Sequence, residues 1–170
     1  MKSRFNGPPK PPAATDKPPA AADKALGVVG TSLAIHTRGP GFTEITDDIS
    51  VWLKHIGALE GLLTVFIAHT SASLTIQENA DLDVRRDLID CLNRLAPENH
   101  PYRHSSEGAD DMPAHIKAML TSVSLSIPVL GGRTALGTWQ GVYVIEHRAR
   151  DHERRIELHF IGICGPAPSL

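Results

Sequence analysis

Cysteine is scarce: Cys91 and Cys164 are the two in 170 residues. They are too few for a disulfide scaffold and stand in no CxxC arrangement, so a reducing, cytoplasmic setting is expected. Long apolar runs are missing as well. The longest mostly apolar stretches, 61–68 and 135–145, fall short of the ~20 residues a membrane helix needs. No membrane partner is expected. Neither sign of charge prevails, with 17 Lys and Arg against 19 Asp and Glu and a formal net charge of −2. Such a balance makes no broad positive field to hold a nucleic acid by counterion release, which argues against that partner too. The opening MKSRFNGPPK has no apolar core of the kind an export signal requires, so no export is expected. Histidine is the exception to this plainness. Nine of them stand beside Phe 4, Trp 2 and Tyr 2, which brings imidazole chemistry and metal binding into consideration.

Proline is concentrated at one end. Pro8, Pro9, Pro11, Pro12, Pro18 and Pro19 lie among Ala, Lys and Asp, a composition that cannot bury enough surface to offset ordering entropy. Residues 1–26 are therefore expected to be a disordered or polyproline-like tail. Residues 27–165 have the size of one compact domain, with 166–170 as a C-terminal tail.

Periodicity outlines that domain. Val28–Thr37 alternates like a half-buried strand, and Gly39-Pro40-Gly41 then turns. Thr46 is placed to cap a helix in which Ile49, Trp52, Leu53 and Ile56 share a face, and Gly57 stops it. Leu62–His69 and Ser73–Glu78 read as an antiparallel hairpin across Thr70-Ser71-Ala72. A second helix is predicted over Asp83–Leu95, with Val84, Leu88, Leu92 and Leu95 on one face. A third follows, capped by Asp111, with Ile116, Met119 and Leu120 inward. Between them, 98–110 is a polar loop longer than the usual ~4–6 residue connection. Strands are predicted over Val123–Val129, Leu136–Glu146 and Arg155–Ile163, the last two joined by HRARDHER. The order βαββααβββ lacks strict β/α alternation, so the expected fold is α+β with a mostly antiparallel sheet.

Several polar residues occupy positions where this pattern calls for apolar ones. Leu63, Val65, Ile67 and His69 share one strand parity; Leu74, Ile76 and Glu78 share another. If both stripes face the core, His69 and Glu78 meet at one pocket mouth as an acid/base pair. Strand ends with solvated side chains are the plainer alternative. His147 shares parity with Trp139, Gly141, Tyr143 and Ile145 and would line a cavity beside the aromatics. His104, Glu107, Asp110, Asp111 and His115 gather imidazoles and carboxylates around a helix start. Their types suit a divalent ion, although their spacing matches no zinc-finger or HExxH pattern. Capping and a solvated loop are the alternative for these acids. Gly131-Gly132-Arg133 and Gly137-Thr138-Trp139-Gln140-Gly141 allow close backbone approach to a ligand, or a hairpin turn and a bulge.

Three stretches carry more information together. HTSASLTIQENAD (His69–Asp81), YRHSSEGADDMPAHIK (Tyr102–Lys117) and GRTALGTWQGVYVIEHR (Gly132–Arg148) closely resemble the YjbQ family, described as secondary thiamine-phosphate synthases. The resemblance covers nearly all of 27–163. Leu82 and Ala109 stand where that family's pattern has proline, changes that affect loop stiffness and remove no titratable group.

That resemblance implies a small α+β fold assembled as a homotrimer, with metal associated with its histidines. The implied activity joins hydroxymethylpyrimidine diphosphate to thiazole phosphate, releasing pyrophosphate. It looks more like a side activity than a settled physiological role. A diphosphate leaving group needs charge neutralisation, from a divalent ion or from Lys and Arg. Mapped onto this chain, His104, His115 and His147 are the expected metal ligands, within one subunit or across two. The ion would be zinc or magnesium, with Asp110 and Asp111 as catalytic acids able to hold it. His69 and Glu78 would manage protons. Ser71, Lys117, Gln140 and Arg148 would bind the small phosphorylated substrate, Lys117 and Arg148 at the phosphates and Gln140 at the pyrimidine. The alternatives are a metalloenzyme on another phosphorylated small molecule, or a non-catalytic homotrimer that binds a metal or small anion.

Overall fold

The computed structural model describes residues 26–166. The tails expected over 1–26 and 166–170 lie outside the described residues, apart from Leu26 and Pro166. In chain order the elements are β1 (Leu26–Arg38), β2 (Gly41–Glu44), α1 (Thr46–His55), β3 (Ala58–Ile67), β4 (Ala72–Glu78) and α2 (Leu82–Leu95). There follow α3 (Asp111–Leu120), β5 (Ser124–Leu130), β6 (Arg133–Thr134), β7 (Gln140–Glu146) and β8 (Asp151–Cys164). Two sheets result, ordered β1-β8-β3-β5-β6 and β2-β7-β4. Each strand pairing among the described residues is antiparallel. The fold is α+β, as the periodicity predicts.

Side-chain alternation drives this arrangement. In β8, Arg154, Ile156, Leu158 and Phe160 are buried while Glu153, Arg155, His159 and Ile161 are exposed, the period-two signature of a sheet with one covered face. β3 buries Leu63, Val65 and Ile67 beside them, and the second sheet adds Leu74, Val142 and Val144. α1 closes the core with Ile49 and Leu53, one turn apart. Each such side chain contributes roughly 1.5–3 kcal/mol of burial. The pair Gly61–Gly162 lies in register next to a bulge at Ala58/Glu60. There a Cβ on either glycine would run into backbone of the opposite strand and the Phe160 ring.

The structure corrects the predicted elements in several places. β3 and β4 are not a hairpin: β3 pairs with β5 and β8, whereas β4 pairs with β7 in the other sheet. Residues 68–71 are thus a crossing between sheets, and so are 147–150, which join β7 to β8. Two short strands lie outside the predicted ones: β2 starts at the last residue of the Gly39-Pro40-Gly41 turn, and β6 falls between the strands expected over 123–129 and 136–146. Thr46 is no cap. Ile45 takes that position, and the Thr46 hydroxyl donates to Glu44 Oε1 at 2.9 Å and accepts the Val142 N–H at 2.9 Å, tying α1 to β7. α2 begins one residue early, capped by the Asp81 side chain on the Asp83 N–H. It buries no residue fully, and Leu95 is exposed. Asp111 does not cap α3 either. Asp110 holds that position without a side-chain cap bond, and Asp111 is the first, fully buried helical residue. Met119 and Leu120, expected inward, face out, and the packed face is Pro113, Ala114, Lys117 and Ala118. No helix among the described residues is long and apolar enough to cross a membrane.

Candidate functional site

The first crossing between sheets runs beside the start of β8. The Ala68 N–H donates to the Arg155 carbonyl at 3.1 Å, and the Arg155 N–H donates to His69 Nε2 at 2.8 Å. The first turns of α3 dock on the same seam, with His115 Nδ1 3.1 Å from the Thr70 carbonyl. An open pocket of about 770 Å3 lies there, lined in part by His69, Ser71, His115 and Met119.

At this seam His104, Asp111 and His115 bring one ligand atom each to within 4.8 Å of one another. Asp111 Oδ2 lies 2.7 Å from His104 Nε2 and 3.5 Å from His115 Nε2. The Thr70 carbonyl can only accept, so His115 Nδ1 carries a proton and Nε2 is the nitrogen that faces Asp111 and would take a metal ion. A backbone carbonyl fixing the tautomer in this way is a common second partner of metal-binding histidine. Two imidazoles and a buried carboxylate fit a zinc-like divalent ion better than magnesium, which prefers an all-oxygen shell. His147, the third expected ligand, is not in this group. It is buried, with Nε2 2.9 Å from Ser73 Oγ, and Asp111 stands in its place. Burial, reinforced by the Lys117 charge, pushes the His147 pKa down to about 4.

Arg148 holds the cluster together. Its Nε donates to Asp110 Oδ2 at 3.0 Å, its Nη2 to the Glu107 carbonyl at 2.9 Å, and its Nη1 to Asp111 Oδ1. Asp110 also accepts the Ala149 N–H at 2.9 Å. Burial alone would raise the Asp110 pKa, but the Ala149 N–H and Arg148 hold it below the usual carboxylate range. Asp110 and Arg148 therefore clasp the loop before α3 to the crossing after β7. Lys117 points elsewhere: it is buried with Nζ 2.7 Å from Asn93 Oδ1, and burial lowers its pKa against the pull of Glu98 and Asp110.

Beneath the crossings lies a buried ion pair that the sequence analysis did not single out. Arg154 donates to Glu146 twice, Nε to Oε2 at 2.7 Å and Nη2 to Oε1 at 2.6 Å. Thr37 adds a hydroxyl donor at 2.6 Å, and the His147 and Arg148 N–H groups complete the set. Desolvation would raise the Glu146 pKa, yet Arg154 and Thr37 hold it low. Arg154 also reaches Ser71 Oγ at 3.3 Å and His69 Nδ1 at 3.4 Å. Burial, and then the Arg154 charge, lowers the His69 pKa. Parity holds the signal for this pair. Arg154 continues the Ile156–Leu158–Phe160 stripe, and Glu146 continues Val142–Val144.

Glu78 and Gln140 stand apart from the seam. They pair with each other at one end of β4 and β7, while Ala72 pairs with Glu146 at the other, about 20 Å away at the rise of a strand. His69 and Glu78 thus share no pocket mouth, because β3 and β4 belong to different sheets. Gln140 is exposed and folds its Oε1 onto the Gly137 N–H at 2.8 Å, and Trp139 beside it is exposed.

Comparison with known proteins agrees with this architecture. The profile of the family described as UPF0047 protein YjbQ-like matches residues 31–163. A UPF0047 protein of Synechocystis sp. is 50% identical over 131 residues, covering 76% of this chain and 89% of that protein. The UPF0047 protein YjbQ of Salmonella typhimurium is 44% identical over 126 residues, 74% of this chain and 91% of its own. Among solved structures, a YjbQ/UPF0047 protein of Clostridium acetobutylicum superposes with a TM-score of 0.70 at 35% identity, covering 78% of this chain and 99% of that one. A YbjQ-like protein of unknown function from Sulfolobus solfataricus shares the fold, with a TM-score of 0.75 at 21% identity over 81% of this chain and 99% of its own. With a match spanning nearly the whole described domain and relatives up to 50% identical, the chain belongs to the YjbQ (UPF0047) family.

Proposed function

We propose that the seam is the active site of a metal-assisted transferase acting on a small phosphorylated substrate, with thiamine-phosphate formation as its activity. The observation that carries this reading is the convergence of His104, Asp111 and His115 beside an open pocket. A divalent ion held by these three would neutralise charge on a departing diphosphate. In that reaction the thiazole nitrogen attacks the pyrimidine methylene carbon with its own lone pair, and the carbon–oxygen bond to diphosphate breaks. No proton moves in that step, so the chain need not supply a free base. Its own residues instead fix geometry: Arg148 and Asp110 brace Asp111, and the Thr70 carbonyl orients His115.

The test is product formation from hydroxymethylpyrimidine diphosphate and thiazole phosphate, with and without chelator. Chelator-sensitive thiamine phosphate supports the proposal. Stoichiometric metal without product favours the second reading, a protein that binds a metal or small anion without turnover. One observation favours that alternative: the two cations expected at the phosphates are already engaged, Arg148 by Asp110, Asp111 and the Glu107 carbonyl and Lys117 by Asn93.

We further propose a cytoplasmic homotrimer. Cys91 and Cys164 are free thiols, in keeping with a reducing compartment. The outer face of the five-stranded sheet carries Val28, Ile161, Leu62 and Pro128 in one cross-strand row, all exposed. An apolar row of this kind on a sheet face suits burial against further copies of the chain.

A further inference from the structure

His69 is held in an unusual hydrogen-bonding state. The Arg155 backbone N–H can only donate, so at 2.8 Å it requires His69 Nε2 to be bare. A neutral ring then carries its proton on Nδ1. Yet Nδ1 lies 3.4 Å from Nη1 of Arg154, which is also a donor and never an acceptor. Two N–H groups therefore face each other, and among the described residues neither finds another partner. Protonating the ring would make matters worse, placing a third donor against the Arg155 N–H. The depressed pKa of His69, from burial and then from Arg154, agrees with a ring kept neutral.

Ser71 adds to the imbalance. Its oxygen accepts from Arg154 Nη2 at 3.3 Å, which leaves its own proton free to donate. Arg154 is almost wholly buried and anchored through Nε and Nη2 on Glu146, so its remaining N–H groups are fixed in direction. An unmet donor at a buried position is costly, and an oxygen bearing negative charge is the acceptor that best relieves it. His69 and Ser71 both line the pocket that also holds His115, and a pocket of this size accommodates a phosphorylated heterocycle.

We infer that His69 Nδ1–H and the Ser71 hydroxyl, backed by the buried Arg154 guanidinium, form an oxyanion subsite that receives a phosphoryl oxygen of the substrate. The subsite rests on reading the seam as the substrate site, and it changes the part His69 plays there: a hydrogen-bond donor instead of the proton carrier expected from the sequence. Arg154 enters the site as the fixed donor at its back, while Glu146 balances its charge. Recognition of the anion thus depends on direction of donors more than on net positive charge.

The intact chain, stripped of metal with chelator, is titrated with inorganic phosphate while long-range 1H–15N spectra follow the histidine rings. His69 is expected to show the Nδ1–H tautomer before titration, and its Nδ1 resonance to move as phosphate is added. Ser71→Ala should weaken phosphate binding by roughly tenfold, the worth of one charge-assisted hydrogen bond. An Nε2–H tautomer at His69 overturns the inference using the unaltered protein alone. So does phosphate affinity that is unchanged in Ser71→Ala, or phosphate binding seen only when metal is present. A chain that never loads metal but responds to phosphate in this way would contradict the metalloenzyme proposal and leave the subsite standing.

Discussion

Asp111 shows how one buried carboxylate organises its neighbours: Arg148 takes Oδ1, and both imidazoles turn toward Oδ2. The same rule of paired buried charge governs Glu146 and Arg154. Arg154→Met is expected to destabilise the fold by about 3–5 kcal/mol, since Glu146 would remain buried and unpaired, and adding Glu146→Gln should recover part of that loss. Urea midpoints measure both, and equal stability of the single variant and the wild type would contradict the pairing. His147 sets a pH dependence. The unfolded ring protonates near 6.5 and the folded ring near 4, so between those values the unfolded chain binds more protons. The stability present above pH 6.5 is lost as pH falls through about 4, roughly 2 kcal/mol of it by pH 5. His147→Gln should flatten that slope, and an equally steep loss in the variant would assign the effect to other groups. Residue types point to a candidate ion site around His104 and His115 because imidazoles and acids crowd there. Asp111 is among those acids, and the residue that stands outside the cluster is His147, expected from the resemblance as the third ligand. Arg154 is legible as the polar end of the even-numbered stripe Ile156, Leu158 and Phe160 of β8.

Strands and helices were readable where one face is buried. β8 and α1 follow their apolar periods, α2 follows its own only as far as Leu92, and Gly57 ends α1 with a φ of 64°. Sheet membership was not readable, since alternation names the inward face of a strand and says nothing about which strand lies beside it. The short polar link 70–72 therefore reads as a hairpin turn, whereas 68–71 is a crossing. That difference explains why His69 and Glu78 part company, and why His69 meets Arg154 and Arg155 instead. β7 is buried on both faces from Gly141 to Glu146, which leaves no alternation to read around His147. The tightest joint between elements is Gly61–Gly162. Gly162→Ala is expected to destabilise the fold by at least about 1–3 kcal/mol through forced displacement of β3. A thermal midpoint matching the wild type would show that the bulge relaxes freely.

Taken whole, the molecule covers one face of its larger sheet with the core and leaves an apolar row on the other. Leu62→Arg, in the middle of that row, is expected to shift the protein from trimer to monomer in analytical ultracentrifugation with its circular dichroism unchanged, and a monomeric wild type would refute the assembly. The proposed functional centre lies elsewhere, where both inter-sheet crossings and the start of α3 converge. The most direct measurement is elemental analysis of the purified wild type and of His115→Ala, with thiamine-phosphate formation assayed on the same samples. The account predicts a stoichiometric zinc-like ion and chelator-sensitive turnover in the wild type, both lost in His115→Ala. A wild type without metal, or a His115→Ala protein that keeps both metal and turnover, would contradict it.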